Sequence, residues 1–282
     1  MPLVDSYRYT AAAAAGWAQN GNALALAVTS SVAMAGLTSS RIAYISNTDT
    51  SLKTYDFDGT DWAQVGNSLS IASATTPFGI GAMSSTRVAF IDPTNDQLRA
   101  YDFDGTDWTL TGSGISETGF GFDVEALSST RVAVSNASAK TLTAYDFNGS
   151  TWSKIGNSFT LSAGSVGNTS LAKLSSSRVA YIDASGDLLR VFDFDGTDWT
   201  EDGAGLSIST AGAVICGLTS TRIAFLDTTT DTLKSYDYSG SVWTLGASLL
   251  LNNGNPGICS LSSSTIATND ATNDTLRKYT LS

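Results

Sequence analysis

Six tryptophans stand at positions 17, 62, 108, 152, 199 and 243, and the chain holds no others. Their intervals of 45, 46, 44, 47 and 44 residues are the mark of a repeated supersecondary unit, and a repeat constrains the fold before any single residue does. Around each Trp the same four short segments return. A small-residue apolar run ("VAMAGL", "GIGAM", "DVEAL", "SLAKL", "VICGL" or "GICSL") precedes a Ser/Thr turn and then "RIAYIS", "RVAFID", "RVAVSN", "RVAYID", "RIAFLD" or "TIATND". A polar turn such as "DPTND" leads to "LRAYDF" and its relatives, and the Trp segment closes the unit, as in "DWAQVGNSLSI". These segments are rich in β-branched and aromatic residues and bounded by turn residues; none carries helical periodicity.

Four short antiparallel strands per unit predict the blade of a β-propeller. The fold expected is all-β, with six blades of four strands. Trp17 begins a fourth strand that lacks its first three, while residues 257–282 supply three strands and no Trp. Pairing the two ends closes the ring and leaves no open edge at the seam. The propeller then occupies 17–282, preceded by a leader at 1–16. Within the leader, "SYRYT" repeats a third-strand phrase that "RKYTLS" already supplies, so one copy is surplus. The leader either lies along an edge or anchors the ring to an assembly partner.

The phrase "YDFDGTDW" raises the question of a metal. A calcium loop needs several oxygen ligands at fixed positions, whereas a two-residue hairpin needs only residues that tolerate positive φ. At its centre the copies read Asp58-Gly59, Asp104-Gly105, Asn148-Gly149, Asp195-Gly196 and Ser239-Gly240. Glycine is kept and the carboxylate is not; Asp61 likewise becomes Thr151 or Val242. A turn is expected rather than a metal loop. The phrase resembles the Asp-box of sialidases in its Gly and in the Trp three residues later, but the Asp-box aspartate position is Phe57, Phe103, Phe147, Phe194 or Tyr238 here. That resemblance reaches the turn and not the chemistry.

The cations follow the repeat as well. Arg41, Arg87, Arg131, Arg178 and Arg222 each precede an aspartate by fifteen residues: Asp56, Asp102, Asp146, Asp193 and Asp237. In the sixth unit Thr265 and Thr280 replace both members together, which points to a cross-strand ion pair. A second register holds Lys53, Arg99, Arg190, Lys234 and Arg277. Nine residues before the first four lie Tyr44, Phe90, Tyr181 and Phe225, so long side chains are expected to cover aromatic faces. The third unit has Val134 and Thr143 there, and the sixth sets Thr268 against Arg277. Asp92 and Asp96, Asp183 and Asp187, Asp227 and Asp231, and Asp270 and Asp274 are expected to cap their own turns. No cofactor is expected, the alternative being a rim of weak divalent-cation sites on these aspartates, with calcium the ion they suit.

In a meander blade the first-to-second and third-to-fourth turns share one face, which hardly varies between copies. The other face carries the second-to-third turns and the interblade crossings, which do vary, and binding is usually carried by variable loops on a rigid scaffold. The candidate ligand contacts there are Phe78, Phe120, Phe122, Asp123, Glu125, Asn168, Asn253 and Asn255, the phenylalanines also being expected as plugs over the core. Cys216 and Cys259 take equivalent places on innermost strands where other units have Ala35, Gly81, Glu125 and Ala172, a demand for small side chains near the axis. Glu125 and Lys173 are the odd charges there and are expected to line the channel.

A net charge of -11 opposes nucleic-acid binding, and no stretch reads as a membrane span or a secretory signal. With no histidine, the Ser-His-Asp triad and His-based metal sites are excluded. A glycoside hydrolase or lyase working through a carboxylate pair needs two unique acids, and most acids here belong to repeat registers. A non-catalytic module binding a glycan or a protein surface is therefore expected, with a purely structural decoration protein as a further option. The repeats as a whole also resemble those of uncharacterised propeller proteins of marine bacteria and their phages, which implies a virion or tail-fibre attachment role.

Overall fold

The computed structural model describes residues 16–26, 32–46, 50–71, 79–92, 95–119, 122–162, 170–183, 185–208, 212–251, 257–270 and 272–282, and every regular element among them is a β-strand. Blade one comprises Val32–Thr38, Arg41–Ser46, Ser51–Phe57 and Trp62–Ser70; blade two, Ile80–Ala82, Arg87–Asp92, Gln97–Phe103 and Trp108–Ser116. Blade three comprises Phe122–Ala126, Arg131–Asn136, Thr141–Phe147 and Trp152–Thr160. Blade four has Leu171–Ser175, Arg178–Asp183, Leu188–Phe194 and a split outer strand, Trp199–Glu201 with Leu206–Ser207. Blade five comprises Val214–Thr219, Arg222–Asp227, Thr232–Tyr238 and Trp243–Leu250. Blade six is composite, with Ile258–Ser262, Thr265–Asp270 and Thr275–Leu281 completed by Trp17–Gln19 and Leu24–Ala25. The expected closure is present: Trp17 pairs with Leu281, and the Ser282 amide donates to the Gly16 carbonyl at 3.0 Å. "RKYTLS" supplies the third strand, and "SYRYT" lies outside the described residues.

The ring has no single core. Six apolar clusters each join two neighbouring blades, one cluster per seam, the last joining blade six to blade one. Both faces of every middle strand are therefore covered, which is why "RIAYIS" is apolar almost throughout rather than alternating. Each Trp packs back into the seam with the preceding blade. Trp108 donates its indole N–H to Thr54 Oγ1 of blade one at 3.0 Å. At the corresponding places Ala100 and Ala144 offer no acceptor to Trp152 and Trp199, whose indole nitrogens are buried without one. Near the axis the backbones nearly touch. A Cβ on Gly36 would fall 1.8 Å from the Ser260 carbonyl oxygen, and one on Gly217 would fall 1.7 Å from that of Lys173. This close approach is the source of the small-residue demand read from the innermost strands.

The constant face is held by two devices. At the third-to-fourth turn Phe57 pairs with Trp62 and the Asp58 amide bonds to the Asp61 carbonyl, so the loop has four residues rather than two. Only the glycine enters the left-handed region, at φ 111° for Gly59. The preceding Asp has a different use: its carboxylate accepts the amides of Thr60 and Asp61, both at 2.8 Å, and Asp104, Asn148 and Asp195 repeat the cap. An acceptor is required there, not a metal ligand. Asp61, Asp107 and Asp198 reach further, accepting from Asn22, Asn67 and Asn157 of the preceding blade, each at 2.9 Å. The copies that lose the acid, at Thr151 and Val242, face Ser113 and Ala204 where those asparagines would stand, a paired loss carried by the sequence itself.

The second device is the ion-pair ring. Arg41, Arg87, Arg131, Arg178 and Arg222 lie opposite their aspartates in register and pair with both carboxylate oxygens at 2.6–3.0 Å. Four of these guanidiniums also lie over an aromatic ring of the next blade, 5.4–6.0 Å from its centroid. Blade six lacks the pair, and Lys278 instead covers Phe57 at 4.4 Å.

Candidate binding clefts on the variable face

The second basic register lies opposite its aromatics, with Tyr44–Lys53, Phe90–Arg99, Tyr181–Arg190 and Phe225–Lys234 paired across the hairpins, and Lys234 lies over the Phe225 ring, 5.9 Å from its centroid. The charged heads, however, are taken by carboxylates. Arg99, Arg190, Lys234 and Arg277 bridge to Asp92, Asp183, Asp227 and Asp270 at 2.9–3.0 Å. Arg277 therefore keeps a partner although Thr268 replaces its aromatic. The same carboxylates cap their turns, as Asp183 does for Ser185 and Asp270 for Thr272. Asp96, Asp187, Asp231 and Asp274 contribute backbone instead: each sits at φ 47–50° and its carbonyl accepts an amide beyond the outer strand. No group of three metal-ligating side chains occurs among the described residues.

Of the predicted ligand contacts, Phe78, Phe120, Asn168, Asn253 and Asn255 lie outside the described residues. Phe122 is 5% exposed and belongs to the core between blades two and three, the plug position. Asp123 and Glu125 line a polar cavity of about 170 Å³ at the axis, together with Lys173, Cys216, Cys259 and Ser260. Asp123 accepts the Leu171 amide of blade four at 2.7 Å, and its carboxyl occupies the space a side chain on Gly79 would fill. Burial raises Asp123 to about 7, against backbone hydrogen bonds that lower it, and raises Glu125 to about 8, with the Asp123 charge adding to the effect. Burial also lifts both thiols, Cys259 to about 12, so they are inert small fillers.

A second cavity, of about 280 Å³, opens between blades three and four. Phe159, Leu161 and Ser162 come from blade three, and Tyr181, Asp183, Arg190, Phe192 and Glu201 from blade four. Arg190 is held from two sides, Nε on Asp183 at 2.9 Å and Nη1 on Glu201 at 2.5 Å. Burial works to lower this guanidinium, but the two carboxylates leave it raised. Asp183 is likewise opposed by burial, yet Ser162, Ser185 and the Arg190 charge keep it below the ordinary carboxylate range. Ser162 Oγ reaches across the seam to make its bond, at 2.5 Å. Phe159 is half-buried, tilted against Phe192 with centroids 5.0 Å apart.

This cleft departs from its repeats. Glu201 stands where the other blades have Gln19, Gln64, Leu110, Lys154 and Leu245, and Phe159 where they have Leu24, Leu69, Ile115, Leu206 and Leu249. Both substitutions fall in one seam. Aligning the copies would have shown two odd residues, but only the fold shows that consecutive blades bring them together.

No protein-family model and no curated protein matches the sequence. Solved structures do. The fucose-specific lectin from Aleuria aurantia aligns with a TM-score of 0.61 at 15% identity, over 92% of this chain and 96% of that one. A protein from Lactobacillus plantarum gives 0.65 at 14%, over 92% and 85%, and the Swd1 β-propeller domain of Myceliophteria thermophila gives 0.62 at 10%, over 94% and 99%. At such identities the likeness is one of fold: the chain is a six-bladed β-propeller.

Proposed function

We propose that the chain is a non-catalytic carbohydrate-binding module and that the cleft between blades three and four holds a neutral sugar of a glycan. The observation that carries this reading is the coincidence of Phe159 and Glu201 in the one seam where Arg190 is gripped from both sides. A half-buried aromatic edge suits the C–H face of a pyranose, while a fixed carboxylate–guanidinium–carboxylate row offers acceptors and donors to adjacent hydroxyls. The row carries one excess negative charge and the whole chain -11, so uronic, sialylated and sulfated sugars are disfavoured. The fold similarity to a fucose-specific lectin supports the class of ligand. Asp183, fixed as the anion, is unsuited to act as a general acid.

A glycan array with the whole protein tests this. Binding of neutral glycans that weakens at least about tenfold in Glu201→Ala and in Phe159→Ala, with unchanged melting, is expected. Selective binding of anionic glycans, or binding indifferent to both changes, would remove the cleft from the reading. Turnover of a polysaccharide that disappears in Glu125→Gln would make the protein an enzyme. We place the module in attachment, with the leader as the tether; deleting residues 1–15, which keeps the Gly16–Ser282 closure, should leave glycan binding intact.

A further inference from the structure

Four large hydrophobic side chains are exposed among the described residues, and three belong to the outer edge of blade five: Val242 at 57%, Leu245 at 53% and Leu250 at 71%. The repeat itself shows that the blade does not require them. Val242 replaces Asp61, Asp107, Thr151 and Asp198; Leu250 replaces Ala25, Ser70, Ser116, Thr160 and Ser207. The outer strand of this blade also has the smallest register slip among the unbroken outer strands. In blades one, two and three its pairing slips by two residues, as between Leu52–Leu69 and Thr54–Val65, whereas in blade five it slips by one, between Lys234–Ser248 and Tyr236–Leu245. Gly66, Gly112 and Gly156, each four residues after its tryptophan, mark the larger bulge with φ 61–70°; Ala247 stands at that place in blade five and is not among the residues of positive φ. The cause is local. The larger bulge docks on the third-to-fourth turn of the following blade, and in blade six that turn is replaced by the Ser282–Gly16 junction.

Trp243–Leu250 is thus an apolar outer strand whose second edge pairs with no strand among the described residues, and there is no charge from Tyr238 to Leu251. Such an edge is a template for another strand. We infer that it pairs antiparallel with the same strand of a second copy, joining two blades into one eight-stranded sheet across a twofold axis. The occupant is a second copy because the edge matches itself: antiparallel self-pairing brings Leu245 and Leu250 of one copy to uncharged residues of the other. An uncharged stripe is also where two chains of charge -11 approach with least repulsion.

Analytical ultracentrifugation of the whole protein across a concentration series tests this, with circular dichroism reporting the fold. The wild type should sediment as a dimer that Leu245→Lys with Leu250→Lys converts to a folded monomer, whereas Leu110→Lys, which alters the fourth exposed side chain, on blade two, leaves the dimer in place. A wild type that stays monomeric throughout, or a dimer that survives the double change, overturns the inference. So does a dimer lost equally in Leu110→Lys.

Discussion

The two ends of each interblade seam follow opposite rules. At the constant face, turn, staple and guanidinium stack recur with little variation, and a departure in one member is met by a departure in its partner, as at Ser113–Thr151 and Ala204–Val242. At the variable face four blades carry an Arg–Asp or Lys–Asp bridge, Ser46 and Asn136 taking the place of the aspartate in blades one and three, and the residues around it change singly. Lys154 stands where Glu201 does one blade later, and Glu117, half-buried and raised by that burial, enters only the seam before it. Paired change keeps an interface; unpaired change makes one seam chemically unlike the next. The difference locates function better than any single motif in this chain.

The largest expected effect lies at the constant face. A Cβ on Gly66, at φ 70°, would sit 2.4 Å from the Thr106 carbonyl oxygen and 2.9 Å from the Phe103 ring. Gly66→Ala should cost about 2 to 4 kcal/mol in urea unfolding, and a loss below about 0.5 kcal/mol would show that this seam end yields. The axis comes next. Because burial raises Asp123 and Glu125, the folded chain holds protons that the unfolded chain releases between about pH 4 and pH 8. Their contribution is present in full on the acid side and is lost as pH rises through that window. Glu125→Gln should flatten the decline, gaining about 1 to 2 kcal/mol over the wild type at about pH 8 relative to about pH 5; parallel melting curves across pH would refute it.

Arg87→Ala should cost about 1 kcal/mol, since the pair is a quarter to a third exposed and stacks on Phe147. The Arg87 bonds hold Asp102 below its ordinary range, so this loss should fade as acid protonates Asp102, and thermal melts at neutral and acid pH would show it. The smallest effect is a gain. Ser113→Asn together with Thr151→Asp installs the staple that seam lacks and should add about 0.5 kcal/mol, with each change alone adding less. Additive single effects would mean that the two side chains do not meet.

The fold was legible because its signals are local and repeated: Trp spacing, Gly in the turns, and Arg41 fifteen residues before Asp56 gave the blade count and the register. The four-residue turn was missed because Asp-Gly alone does not state loop length; that length depends on the amides Asp58 caps. The cleft was hidden for a different reason. Phe159 and Glu201 are ordinary substitutions in two separate units, and their meeting depends on how consecutive blades stack. Glu125 was visible as an odd charge of the innermost strands and Asp123 as a candidate ligand contact, but their raised pKa values follow from burial at the axis, which one strand cannot reveal.

Residues 16 and 282 are hydrogen-bonded neighbours at the rim of blade six. A short peptide could therefore join them, and the chain could be opened at another blade's Asp-Gly turn, without moving a strand. The order of blades around the ring is a cyclic property and the starting point is not. In a circular permutant cut at Gly59, blade one would become the composite blade, closed by its own ladder between Ser51–Phe57 and Trp62–Ser70.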